Sequence, residues 1–84
     1  MKTLNERASC LKDYEVECYS ICYFLLQKEN LAIDTAKRVL KQLLYDDGFY
    51  MKDGEQRKME LHKLTKKFAI KAYQINVANT EAAI

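Results

Sequence analysis

Apolar residues recur at spacings of three and four along most of the chain. The first series is Leu4, Ala8, Leu11, Tyr14, Cys18, Cys22 and Leu25. Residues three and four apart share one face of an α-helix, so this spacing predicts a first helix over about 4–27. Thr3-Leu4-Asn5-Glu6 has the form of a capping box at its start. Asp13 offers a rival N-cap, so a break near residues 9–13 is the alternative to one unbroken helix. Beyond Tyr19 the apolar positions Ile21, Tyr23, Phe24 and Leu26 spread around the axis, which predicts burial on more than one side.

Gln27–Asn30 interrupts the pattern. Asn30 is the candidate cap of a second helix over about 31–46, and Asp34 in its first turn complements the dipole. Leu31, Ala32, Ala36, Val39, Leu40, Leu43 and Leu44 form the apolar face of that helix. Lys37, Arg38 and Lys41 form its outer face. Gly48 stands where a left-handed C′ glycine is expected. So short a connection predicts antiparallel packing of helices one and two.

Phe49-Tyr50-Met51 reads as an apolar plug after the stop, and Lys52-Asp53-Gly54 as a turn with Asp53 as a cap. A third helix is expected over about 55–76, with a frayed tail over 77–84. It carries two apolar stripes. Leu61, Leu64, Phe68, Ala72 and Ile75 lie on one side, and Met59, Ile70, Tyr73 and Val77 lie almost opposite. The hairpin covers one stripe. The second needs either Leu4, Ala8 and Leu11 folded across it or a second chain, which makes a homodimer the expected state.

Composition sharpens this pattern. Eighty-four residues make one domain with a modest core. The absence of proline and the presence of only two glycines favour a few long helices over a many-stranded fold. Residues 1–47 carry seven Lys/Arg against eight Asp/Glu, and residues 48–84 carry seven against four, so the net charge of +2 divides as −1 and +3. A basic C-terminal half suits an anionic partner. The longest apolar run, Ile21 to Leu26, is too short to span a bilayer, and the N-terminus lacks the apolar core of a signal peptide. Three cysteines in one predicted helix suit free thiols in a reducing cytosol better than a disulfide framework.

Candidate chemistry is sparse. Cys18 and Cys22 share a helical face, but a closed zinc site takes four ligands, and Cys10 and His62 join them only if the fold brings them there. Small buried hydrophobes are the plainer reading, so no metal or other cofactor is expected. His62 is the only histidine and lies among lysines, while Asp13, Glu15 and Glu17 lie on an exposed face beside Lys12. A solvated charged face accounts for them without catalysis, so no enzyme is expected. Six of the residues from 57 to 71 are Lys or Arg, against one Glu. Lys63, Lys66, Lys67 and Lys71 suit contacts to phosphates, and Phe49, Tyr50 and Tyr73 are candidates for stacking on unpaired bases. A solvated helix with its aromatics in the core is the competing account.

The stretch Tyr14 to Tyr50 resembles region 2 of bacterial RNA polymerase sigma factors, particularly the small extracytoplasmic-function type. That family has a helix ending in an aromatic-rich "Y-R-x-A-x-x-L-L", a short acidic break, then "L-A-E-D-A-x-Q-E-x-F-L-x-L". Tyr19-Ser20-Ile21-Cys22-Tyr23-Phe24-Leu25-Leu26 stands for the first part. Glu29-Asn30-Leu31-Ala32-Ile33-Asp34-Thr35-Ala36 stands for the break and the start of the second helix. Phe49 falls where the family often has a Phe. The resemblance covers roughly residues 11–50 well and 55–75 loosely. It implies that the second helix docks on polymerase and that the basic third helix lies toward promoter DNA. Asp34 matches the family's acidic residue, while Lys37-Arg38 stands where the family has Gln-Glu. Nothing corresponds to the −35-reading region, so the resemblance implies a stand-alone region-2-like protein, either a co-factor to another sigma polypeptide or a degenerate relative with a new partner.

The expected fold is therefore all-α, with three main helices: an antiparallel hairpin plus a long basic third helix. The expected function is that of a sigma-region-2-like transcription accessory protein in the bacterial cytoplasm. On that reading Asp34, Lys37, Arg38 and Lys41 face RNA polymerase or a sigma polypeptide, and Lys63, Lys66, Lys67, Lys71, Phe49, Tyr50 and Tyr73 face DNA. The rival is a helical interaction module that self-associates through Met59, Ile70, Tyr73 and Val77 without binding DNA. Neither reading involves a membrane.

Overall fold

The computed structural model describes residues 2–82, with side chains through Val77. It is all-α, and no strand occurs among the described residues. Five helices are present where three main ones were expected: α1 Leu4–Lys12, α2 Glu15–Leu26, α3 Glu29–Leu44, α4 Asp47–Tyr50 and α5 Gly54–Ala82.

The expected first helix is broken at Asp13-Tyr14. The backbone N–H of Asp13 reaches Cys10 O at 3.3 Å and that of Tyr14 reaches Leu11 O at 2.9 Å. These i→i−3 bonds tighten the chain into a turn between two helices. No side chain caps α2, so Asp13 is not its N-cap. The break redirects α1 against α3. The capping box of α1 is formed as expected, with Glu6 N donating to Thr3 Oγ1 at 3.2 Å and Thr3 N to Glu6 Oε1 at 3.4 Å.

α2 ends where Gln27 takes the left-handed conformation, at φ 58° and ψ 17°. Its side-chain Nε2 folds back to donate to Phe24 O at 2.7 Å. α3 then begins at Glu29 behind Lys28, whose side chain makes no cap, so Asn30 lies inside the helix rather than at its N-cap. Two residues thus connect α2 to α3. Cys18 Sγ lies 3.9 Å from Ala36 O, so residues nearly equidistant from the connection meet across the pair.

α3 stops through i→i−3 bonds from Tyr45 and Asp46, not through a glycine cap. No glycine in the described chain has positive φ, and Gly48 sits inside α4. Asp46 caps that short helix, its Oδ1 accepting from Phe49 N at 3.3 Å. Asp53 caps α5, its Oδ1 accepting from Gln56 N at 2.8 Å. α5 continues past Asn76 to Ala82, so the expected tail is helical as far as it is described. Its 29 residues measure roughly 43 Å at 1.5 Å each, and they set the 50 Å long axis of the molecule.

α5 packs on both α2 and α3. The centre of that packing is built from small side chains: Cys18, Cys22, Ala32, Ala36, Thr65 and Ala69, all buried. Cys18 Sγ and Thr65 Oγ1 are 3.5 Å apart, and Thr65 also donates to Leu61 O at 2.6 Å. Small residues let helix backbones approach closely, and these polar atoms stay paired within the core. Leu11, Leu26, Val39, Leu43, Phe49 and Leu61 close the core around them. No helix among the described residues is long and apolar enough to cross a membrane.

Candidate partner-binding faces

Asp34, Lys37, Arg38 and Lys41 are all exposed on α3. Arg38 Nη2 lies 3.3 Å from Asp34 Oδ2, one helical turn back. Both side chains are largely in water, so this pair contributes little and exchanges easily.

Lys63, Lys67 and Lys71 lie four residues apart along one ridge of α5, and Lys66 lies off it. Lys67 and Lys71 border a groove between α3 and α5 and face Arg38 across it. Phe68, Ala72 and Ile75 supply its apolar floor. Lys66 lies on the opposite flank, against α2, with Ser20, Ile21, Phe24, Leu25 and Ile70. Lys63 sits lower on the helix near Met59 and the Lys52–Glu60 ion pair. One lysine set predicted for DNA is therefore divided among three surroundings. Part of it joins the set predicted for polymerase.

The second stripe of α5 is open. Met59 is 68% exposed, Ile70 and Tyr73 are each 53% exposed, and Val77 is half-buried. The N-terminal segment does not fold across it. Leu11 is buried, while Leu4 and Ala8 are exposed. Phe24, 75% exposed, extends the open apolar surface onto α2 beside Ile70.

Two of the three aromatics predicted to stack on bases point inward. Phe49 is fully buried, with its ring edge-on to Tyr14 at 6.0 Å and to Tyr50 at 5.2 Å. Tyr50 is half-buried and donates its hydroxyl to Leu43 O at 2.9 Å. Burial pushes its phenol above the ordinary range. Neither ring is free to stack; Tyr73 is.

Two arginines hold these rings in place. Arg57 of α5 donates from Nη2 to Tyr50 O at 2.7 Å and from Nε to Phe49 O at 3.2 Å. Those carbonyls end α4; Phe49 O also accepts from Lys52 N at 3.3 Å, while Tyr50 O is satisfied by Arg57. Arg7 of α1 is almost wholly buried. It donates from Nη1 to Leu44 O at 3.1 Å, pairs with Asp47 at 2.5 Å, and lies 4.8 Å above the Tyr50 ring. Its Nε has no partner among the described residues. Sequence reasoning counted Arg57 only among the basic residues of the third helix and gave Arg7 no role. Only the tertiary approach of α1 and α5 to the α3–α4 corner assigns them.

His62 Nε2 lies 2.9 Å from Glu17 Oε1, and Lys58 Nζ lies 3.7 Å from the same oxygen. The hydrogen bond with His62, helped by the Lys58 charge, lowers the Glu17 carboxyl below the ordinary carboxylate range. These contacts join α2 to α5 at a half-exposed surface. The three cysteines are free, and Cys18 and Cys22 are buried. The neighbouring Cys18 thiol and burial push Cys22 far above the ordinary thiol range, so it stays protonated. No group of three or more His, Cys, Asp or Glu suited to a metal ion occurs among the described residues. No protein-family model matches the chain, and no curated protein or solved structure is significantly similar to it.

Proposed function

We propose that this protein is a sigma-region-2-like accessory of the bacterial transcription machinery, acting in the cytoplasm and binding through surfaces rather than by catalysis. The observation that supports it most is the α3–α5 face. There Arg38 meets Lys67 and Lys71, so cations of the polymerase-facing helix and of the basic helix form one anionic-partner surface. Asp34, Lys37, Arg38 and Lys41 face polymerase or a sigma polypeptide. Lys63, Lys66, Lys67 and Lys71 are available to promoter phosphates, with Tyr73 as the stacking residue. Phe49 and Tyr50 serve the core instead.

Two measurements test this reading. Capture of RNA polymerase subunits on the intact protein is expected, and Asp34→Lys, which reverses the acidic residue matching the family's, should weaken it. DNA affinity should fall steeply with salt, because each neutralised phosphate releases counterions. Replacing Lys63, Lys67 and Lys71 with Gln should flatten the log–log salt slope by about three units if all three contact phosphates. Absence of both polymerase capture and low-salt DNA binding overturns it.

A second reading has its own observation. The stripe Met59, Ile70 and Tyr73 is exposed and continues onto Phe24 of α2. An open apolar seam of this kind suits a self-associating interaction module, and sedimentation of the wild type reads it out directly.

A further inference from the structure

The α3–α5 groove is more than a cluster of positive charge. Its floor is apolar, and Ile75 there is 52% exposed although it lies on the stripe expected to be core. Its walls are Arg38 on one side and Lys67 and Lys71 on the other. Lys67 and Lys71 take part in no ion pair among the described residues. Among the described residues, Arg38 is held only by the solvent-exposed Asp34. Three cations thus border an open apolar trough of about 280 Å³.

We infer that this groove binds an acidic amphipathic α-helix of a protein partner, with apolar side chains on Phe68, Ala72 and Ile75 and carboxylates against Arg38, Lys67 and Lys71. This rests on the proposed α3–α5 partner face and names its occupant. A nucleic acid backbone gains from the cations but leaves Ile75 and Phe68 without a complement, since phosphates and sugars bury no apolar side chain there. An extended peptide gains most from a sheet edge, and no strand occurs among the described residues. A helix lying in the groove satisfies both features at once. Its apolar anchors recur at three and four residues, and the flanking acids meet the lysines. Lys67 and Lys71 stand four residues apart, about 6 Å along the axis, which matches carboxylates at i and i+4 on the partner. Lys67 and Lys71 are open to phosphates only while the groove is empty, so the helix and DNA compete for them; Lys63 and Lys66, outside the groove, remain for phosphates in both states.

The test is a display library of random 16-residue peptides selected against the full-length protein and eluted with salt. Winners should be enriched in Leu or Ile at i, i+3 or i+4, and i+7, with Asp or Glu on the flanks. They should shift the NMR signals of Phe68, Ala72 and Ile75. Lys67→Glu with Lys71→Glu should weaken them by about tenfold or more, because like charges across an interface are costly. Both lysines are exposed, so the variant folds, and its unchanged circular dichroism checks that. Several results overturn the inference: no enriched peptide, peptides without the acidic–apolar pattern, or winners that map to the α2–α5 seam. So does duplex DNA that shifts the same three residues and binds more tightly than every peptide. That last result leaves the transcription reading standing. Groove-binding peptides without polymerase capture do the reverse.

Discussion

Arg57 shows how one side chain fixes the corner from which the faces are built. Its guanidinium fork spans two carbonyls at the end of α4 and lies about 6 Å from the Phe49 and Tyr50 rings. Hydrogen bonds to a charged donor contribute roughly 1.5–3 kcal/mol, and carbonyls left dry cost a similar amount. Arg57→Ala should therefore lower stability by about 2–3 kcal/mol, read as a fall in the urea midpoint at constant slope. Arg57→Lys should recover only part of this, because an ammonium cannot fork across two acceptors. A full recovery would show that charge alone matters at this corner. Glu17 carries a pH dependence that joins two helices. Its folded carboxyl is held below the ordinary range, first by His62 and then by Lys58. The unfolded chain therefore binds the proton more readily. The stabilisation is present above the ordinary carboxylate range and is lost as pH falls through the lowered folded value. Glu17→Gln should flatten that acid limb in a urea series. An unchanged limb would assign the acid sensitivity elsewhere.

The elements divide by whether local chemistry sets their ends. Thr3 with Glu6, and Asp53 before α5, are local devices, and both were legible in the sequence because a cap needs only its own turn. The apolar face of α3 was legible for the same reason: Ala32, Ala36, Val39 and Leu43 follow its period and are buried. The break at Asp13-Tyr14 was legible only as an alternative, since apolar spacing runs through it; with the chain broken there, Arg7 reaches Leu44 O and Asp47. Thr65 and Ala69 were missed as the centre of α5 because their neighbours Leu64 and Phe68 are larger, and size suggested the core. Close packing selects small side chains there instead. In the candidate sites, the exposed α3 set was legible from periodicity. The inward turn of Phe49 and Tyr50 matches the competing account, with aromatics in the core, but what holds them was not legible, because α4 arises from a corner that distant arginines hold. Gln27 was legible only as a break. A left-handed residue other than glycine costs about 1–2 kcal/mol, partly offset here by its bond to Phe24 O. Gln27→Gly should raise stability by roughly 0.5–1 kcal/mol after the greater unfolded-state freedom of glycine is set against it. Gln27→Val should lower it. A destabilised glycine variant would mean that the side-chain bond outweighs the backbone strain.

At the scale of the molecule, α5 separates two surfaces of different chemistry. Toward α3 it presents Lys67 and Lys71 beside Arg38, and toward α2 it presents Ile70 beside Ile21 and Phe24. The first surface suits an anionic partner and the second an apolar one. Nothing among the described residues covers the second, because α1 is drawn to α3 and the α4 corner. A two-fold dimer through this seam would cover Phe24, Ile70 and Tyr73 of both copies at once, since a two-fold axis presents the same patch twice. Ile70→Glu distinguishes a dimer from a monomer. Ile70 is half exposed and outside the core cluster, so the folded monomer tolerates a charge there. In a dimer the same charge lies unpaired in an apolar interface, where it is expensive. The variant should therefore sediment as a folded monomer, with helical content unchanged and a melting temperature that no longer rises with protein concentration. The wild type should show that rise. The expected result on the other face is independence. Lys67→Glu with Lys71→Glu should leave the dimer intact, and Ile70→Glu should leave binding at the α3–α5 groove intact, because the two sites share no side chain. A wild type that sediments as a monomer at micromolar concentrations removes the dimer and leaves the seam to some other partner. Loss of groove binding in Ile70→Glu would instead make the groove depend on the dimer, and the two surfaces would then be one site.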